Sequence, residues 1–211
     1  MFFQSKKFSL AKIQAHRQLS PTVVLDDGGE DELNSGAADS DTVASQKDLS
    51  GIRIFADGNI GWLWDEPGFS AGANSLDACT YWNEGGDVAT DNVIALCYSA
   101  ELETGAGGGS IISESKVYEC GDGYDIEKQK CLGTSIESTR YEATCDERPL
   151  TVVAIFSADD NKDFQVDCVL TPTDDAPPVD ELRYLNTCSK TSASGSSFSD
   201  DCAFAGVGKS N

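Results

Sequence analysis

Apolar and polar positions alternate most regularly in GIRIFADGNIGWLWDEP, residues 51–67. Ile52 and Ile54 fall on one face, and Ile60, Trp62 and Trp64 on the matching face of a second run. That period of two predicts two antiparallel strands. Asp57-Gly58 between them predicts a two-residue hairpin turn, and Pro67-Gly68 ends the second strand. NVIALCYSAEL (92–102) is apolar without alternation, the pattern of a strand buried on both faces. ESKVYEC (114–120), TRYEATC (139–145) and LTVVAIFSA (150–158) read as further strands. In DFQVDCVL (163–170), Phe164, Val166, Cys168 and Leu170 share one face, which puts Cys168 on the core side. Together with 150–158 this run predicts a second hairpin, tipped by Asp159 to Asp163. PPVDELRYLNTC (177–188) predicts a short helix, with Asp175 or Pro177 as its opening residue. A stripe of Phe8, Ala11, Ala15 and Leu19 predicts another over 6–19, followed by an extended piece at Thr22-Val23-Val24.

The cysteines turn this list of strands into a fold class. There are eight, at 79, 97, 120, 131, 145, 168, 188 and 202, and none in the first 78 residues. An even number, evenly spread, predicts four disulfides and an oxidising compartment. Zinc is a poor alternative: the tightest spacing is C-x10-C, and the one histidine, His16, is far from every cysteine. Eight cysteines allow 105 pairings, and composition does not choose among them. Cys97 to Cys120 and Cys145 to Cys168 each span 23 positions, which would suit an internal duplication. The expected fold is mainly β: a disulfide-stapled, antiparallel, sandwich-like domain over 51–211, open to division into halves at 51–132 and 133–211. The segment CGDGYDIEKQKC (120–131) is read as one loop of the framework, with Gly123 in the turn and Tyr124 covering a disulfide or packing on the sheet. Its C-x2-G-Y-x6-C pattern resembles the last loop of epidermal-growth-factor-like modules over about a dozen residues. The C-x-C that precedes that loop in such modules is missing here, so the likeness is of a loop and not of the module.

Charge sets the N-terminal part apart. Residues 1–25 hold Lys6, Lys7, Lys12 and Arg17 and no acid, whereas seven acids fall between Asp26 and Asp41. A stretch this charged and this poor in apolar residues buries too little to fold alone. Residues 1–50 are therefore expected to form an extended arm, basic and then acidic. The first 25 residues lack the apolar core of a secretory signal and resemble a transit segment in composition, so the disulfides imply a processed chain. The net charge of −21 opposes binding to nucleic acid or to anionic membrane surfaces, and no apolar run reaches the length of a membrane span.

Chemistry is sparse. With its only histidine in the arm, the chain has no base for a Ser-His or Cys-His nucleophile, and no phosphate-binding or dinucleotide motif occurs. Asp159, Asn161 and Asp163 have the spacing of the first half of a calcium loop. Phe164 and Leu170 stand where its Gly and Glu belong, so a hairpin tip is preferred. Trp62, Trp64, Tyr81 and Trp82 could form a platform for a glycan, although packing is the commoner use of such residues. The reading is a non-enzymatic, extracellular assembly subunit without a cofactor, which associates with copies of itself or with a larger complex through its arm. A carbohydrate-binding or adhesive module using Trp62 and Trp64 is the first alternative. An accessory subunit in an oxidising organelle lumen is the second.

Overall fold

The structure, a computed structural model, describes residues 23–26, 49, 51–64, 76–85, 93–102, 111–149, 164–190 and 199–204. The strands are β1 (Val23–Asp26), β2 (Gly51–Ile54), β3 (Asn59–Trp64), β4 (Leu76–Asn83), β5 (Val93–Leu102), β6 (Ile111–Cys120), β7 (Tyr124–Asp125), β8 (Lys130–Cys131), β9 (Ser135–Glu137), β10 (Tyr141–Pro149), β11 (Phe164–Pro172), β12 (Arg183–Lys190) and β13 (Ser199–Phe204). They make a five-stranded sheet in the order β1-β2-β3-β11-β10, a six-stranded sheet in the order β13-β12-β4-β5-β6-β9, and the small hairpin β7-β8. Every pairing is antiparallel. The expected β class and four disulfides are both present.

The two large sheets bury one core between them. Ile52, Ile60, Trp62, Trp64, Phe164 and Val166 from the first meet Leu76, Trp82, Ile94, Leu96 and Tyr98 from the second. Trp64 sits with tilted rings between Tyr98 and Phe164, at 6.4 and 6.2 Å between centroids. One polar chain crosses the core. The Trp62 indole N–H donates to Thr80 Oγ1 at 3.0 Å, Thr80 and Thr187 share a hydroxyl hydrogen bond of 2.8 Å, and the Tyr184 hydroxyl donates to Thr187 Oγ1. Residues 51–132 and 133–211 both feed each sheet, since β3 lies on β11 and β4 lies on β12.

The first hairpin forms where the alternation places it, with Ile54 opposite Ile60. Its turn is one residue longer than Asp57-Gly58 alone implies. The Phe55 N–H donates to Asn59 O and the Gly58 N–H to Phe55 O, leaving Ala56, Asp57 and Gly58 as a three-residue loop. Gly58 alone is left-handed, with φ +87°, as such loops require at their last position.

Two expectations need correction. β11 pairs with Tyr141–Pro149, not with 150–158, and Cys145 stands directly opposite Cys168. The cysteine pair fixes that register, whereas the apolar run 150–158 lies outside the described residues. At 177–188 the helix is reduced to a 3-10 turn, Val179–Glu181, and β12 begins at Arg183. Tyr184, Thr187 and Cys188 favour an extended chain. The strand also delivers Cys188 to its two neighbours, Cys79 and Cys202. The expected helix at 6–19 and the calcium-like Asp159, Asn161 and Asp163 lie outside the described residues.

Strand phase explains the disulfide connectivity. Cys202, Cys188, Cys79 and Cys97 form one row across β13, β12, β4 and β5. In an antiparallel sheet a residue hydrogen-bonds to one neighbour and meets the other across a close, non-hydrogen-bonded rung, with Cα atoms about 4.5 Å apart. The bonds Cys79–Cys97 and Cys188–Cys202 both have Cα separations of 4.1 Å, so they occupy close rungs. Cys79 and Cys188 then face each other across the wide rung and do not pair. Cys145–Cys168 uses a close rung in the other sheet, at 4.0 Å, and Cys120–Cys131 closes the β7-β8 loop. The equal 23-residue spans have no common structural meaning: Cys145 and Cys168 are bonded, whereas Cys97 and Cys120 belong to different bonds.

Candidate functional site

Position along the strands separates the four aromatic candidates. On β4, Ala78 and Trp82 point between the sheets, and Cys79 and Tyr81 point away from them. Trp62 and Trp64 are 0% exposed and Trp82 is 2% exposed. A glycan platform needs an open ring face, and these three indoles offer none. Tyr81 lies on the outer face of the six-stranded sheet, where the Cys120–Cys131 loop folds back over it. Tyr124 from that loop meets Tyr81 with 5.0 Å between ring centroids, and its hydroxyl donates to Asn186 Oδ1 at 2.6 Å. Gly123, at φ +92°, makes the turn that sends Tyr124 inward. Burial pushes the phenols of both Tyr81 and Tyr124 well above their ordinary range. The loop thus serves as a lid on the sheet, and all eight cysteines are consumed in disulfides.

Arg140 makes a polar cluster with two carboxylates, and the sequence offered no motif for it. Its Nε and Nη2 donate to the two carboxylate oxygens of Glu119 at 3.2 Å each, and its Nη1 donates to Glu84 Oε2 at 2.9 Å. Ser138 Oγ adds a 2.7 Å bond to Glu119. The cluster joins the end of β4, β6 and the start of β10. Partial burial alone would raise the Glu119 pKa, but the hydrogen bonds from Arg140 and Ser138 and the guanidinium charge outweigh it, so the net shift is downward. A carboxylate held ionised in this way is a poor proton donor, and the geometry is that of a clamp. Among the described residues no group of three or more His, Cys, Asp or Glu side chains could hold a metal ion. No helix among them is long and apolar enough to cross a membrane.

One cavity, of about 190 Å³, opens between the β2–β3 turn and the 3-10 turn, against Ile54, Phe55, Trp82, Val179 and Leu182. Small-molecule sites run from about 300 to 1,000 Å³ and combine apolar walls with convergent polar groups. This one is smaller, and Asp180 is the one ionisable carboxylate in its lining.

Residues Val23–Asp26 pair with the body. β1, within residues 1–50, is one of the two edge strands of the five-stranded sheet. Val23 stands opposite Ile54, Val24 opposite Arg53, Leu25 opposite Ile52 and Asp26 opposite Gly51. Val23 and Val24 of the extended piece expected at 22–24 are therefore strand residues in a specific register, and Thr22 lies outside the described residues. On the β2 side, Ile52 and Ile54 are core residues and Arg53 is half-buried. The rungs connect Val23–Asp26 directly to core-bearing backbone.

The molecule defined by these features is a disulfide-stapled antiparallel β-sandwich with Val23–Asp26 as one edge strand of its five-stranded sheet. Comparison with protein-family models, curated proteins and solved structures gave no match to any of the three.

Proposed function

We propose that this chain is a non-enzymatic assembly subunit of an extracellular or otherwise oxidising compartment, which associates with copies of itself through its N-terminal arm. The observation that carries the reading is β1, a four-residue arm segment seated on the sheet edge at β2. Backbone pairing at a sheet edge is a recurrent way for one chain to hold another. Charge favours the same surface chemistry. Residues 1–25 carry four bases and no acid, against a chain of net charge −21, so this basic segment is attracted to any copy's body. The four disulfides support an oxidising setting. With every cysteine bonded and His16 in the arm, the usual nucleophile–base pairs are not available. Sedimentation velocity of the oxidised full chain, beside a chain beginning at residue 27, tests the reading. The full chain should gain mass with concentration while the shorter one stays monomeric. Equal behaviour of the two would defeat it.

A further inference from the structure

We infer that β1 is an exchangeable strand: residues Val23–Asp26 of one copy seat on the β2 edge of the next, in the register they adopt within a single chain. The inference rests on the self-association reading above and specifies its contact.

Three observations lead to it. First, β1 and β2 form an antiparallel pair whose connection runs from residue 27 to residue 50. Ordinary hairpin loops hold two to five residues. Leu49 is already buried in the core, so the free connection is 27–48, and its 22 residues have an extended reach of roughly 70 Å at about 3.3 Å per residue, which imposes no particular chain on the edge. A domain of some 160 residues is about 40 Å across, so the same β1 can reach its own edge or a neighbour's. Second, β1 has four residues and lies at the outside of the sheet. Short edge strands are among the first elements to open locally. Third, the connector is charged. It carries Asp27, Glu30, Asp31, Glu32, Asp39, Asp41 and Asp48 against Lys47 alone. Pairing Asp26 with Gly51 in one chain draws both ends of this acidic stretch to a single rung, beside an acidic body. Charged linkers repel themselves and extend. A connector extended in this way would lower the effective concentration of β1 at its own edge.

Exchange and closure make the same backbone rungs, so the balance between them depends on concentration. For a short flexible tether the crossover lies near millimolar, and self-repulsion moves it lower. Each copy presents one donor strand and one acceptor edge, two different surfaces. Such head-to-tail contacts close into rings or run on as filaments.

The test uses full-length, oxidised chain. A photo-reactive phenylalanine analogue is placed at position 24 in one preparation and at position 25 in a second, so that both faces of β1 are sampled. Each preparation is mixed with an equal amount of 15N-labelled unmodified chain and illuminated at about 0.01, 0.1 and 1 mM, in low and in about 0.5 M salt. Intact disulfides by peptide mapping show that the variants have folded. The expected result is mixed-isotope links from residue 24 or 25 to the 51–54 peptide. They should rise roughly tenfold from 0.01 to 0.1 mM and become the major product near 1 mM. The high-salt arm reports the charge balance, because screening relaxes the connector and also weakens the repulsion between copies of net charge −21. If the mass grows with concentration while these links stay within one isotope, exchange is refuted and the copies associate by another contact. If the chain stays monomeric throughout, both exchange and the self-association reading fail.

Discussion

Substituting Gly58 by alanine should destabilise the sandwich by about 2–4 kcal/mol. The residue sits at φ +87°, where a Cβ costs roughly 1–2 kcal/mol. A Cβ built there also lies 2.6 Å from the Leu170 carbonyl oxygen, inside the closest distance real contacts reach. That neighbour is backbone and cannot swing aside. Gly58 O also accepts the Leu170 N–H at 2.9 Å, so moving the turn away weakens a bond worth about 0.5–1.5 kcal/mol. Urea unfolding with disulfides intact would measure the loss. For a chain of this length, about 2–4 °C of Tm accompanies each kcal/mol, which gives a drop of some 5–15 °C. Gly58→Asn separates the two causes. Asparagine tolerates the left-handed region but carries the same Cβ, so it should recover only the conformational part, about 1 kcal/mol. An alanine variant within about 0.5 kcal/mol of the parent, the range of an ordinary surface change, would refute the reasoning.

Peptide mapping of the unreduced protein should return Cys79–Cys97, Cys120–Cys131, Cys145–Cys168 and Cys188–Cys202, with no free thiol. A Cys79–Cys188 bond in the main product would contradict the rung assignment. All six tyrosines have phenols raised by burial, so the folded chain should show little tyrosinate absorbance at pH 10, where about half of the phenols ionise in urea. Because the folded pKa values lie above the unfolded ones, this contribution to stability is complete below about pH 10 and declines as the pH rises beyond it. An early reversible tyrosinate step in the native state would contradict the burial. The depressed Glu119 pKa has the opposite sign: its contribution is present above the unfolded value near 4.5 and is lost as the pH falls through the lower folded value. Arg140→Gln should remove that acid-side slope, and an unchanged slope would show that the clamp does not couple to folding.

Legibility in the sequence followed periodicity. Ile52, Ile54, Ile60, Trp62 and Trp64 alternate, and the hairpin they predict is present. β4 escaped because LDACTYWN is buried on both faces, with polar Asp77, Thr80 and Asn83 inside, so it shows no contrast between faces. β12 resembled a helix because Pro178, Asp180 and Glu181 form a good helix start, but they stop after one 3-10 turn. The disulfide pattern was hidden because it depends on which rungs of the sheet are close, a property of pairing that no single strand displays. The four aromatics looked like one cluster because Tyr81 and Trp82 adjoin in sequence, yet consecutive strand residues face opposite ways. Arg140 gave no signal because its partners, Glu84 and Glu119, are brought to it only by three separate strands.

The central claim is that arm segments hold copies together, and competition tests it most directly. A synthetic peptide of residues 1–26, added in excess to the full-length oxidised chain at a concentration where its mass exceeds the monomer's, should occupy the β2 edges and the acidic surface. Sedimentation velocity should then show the mass falling to that of a 22.4 kDa monomer carrying one peptide. A chain that is monomeric before the peptide is added, or an assembly whose mass the peptide leaves unchanged, would contradict the claim.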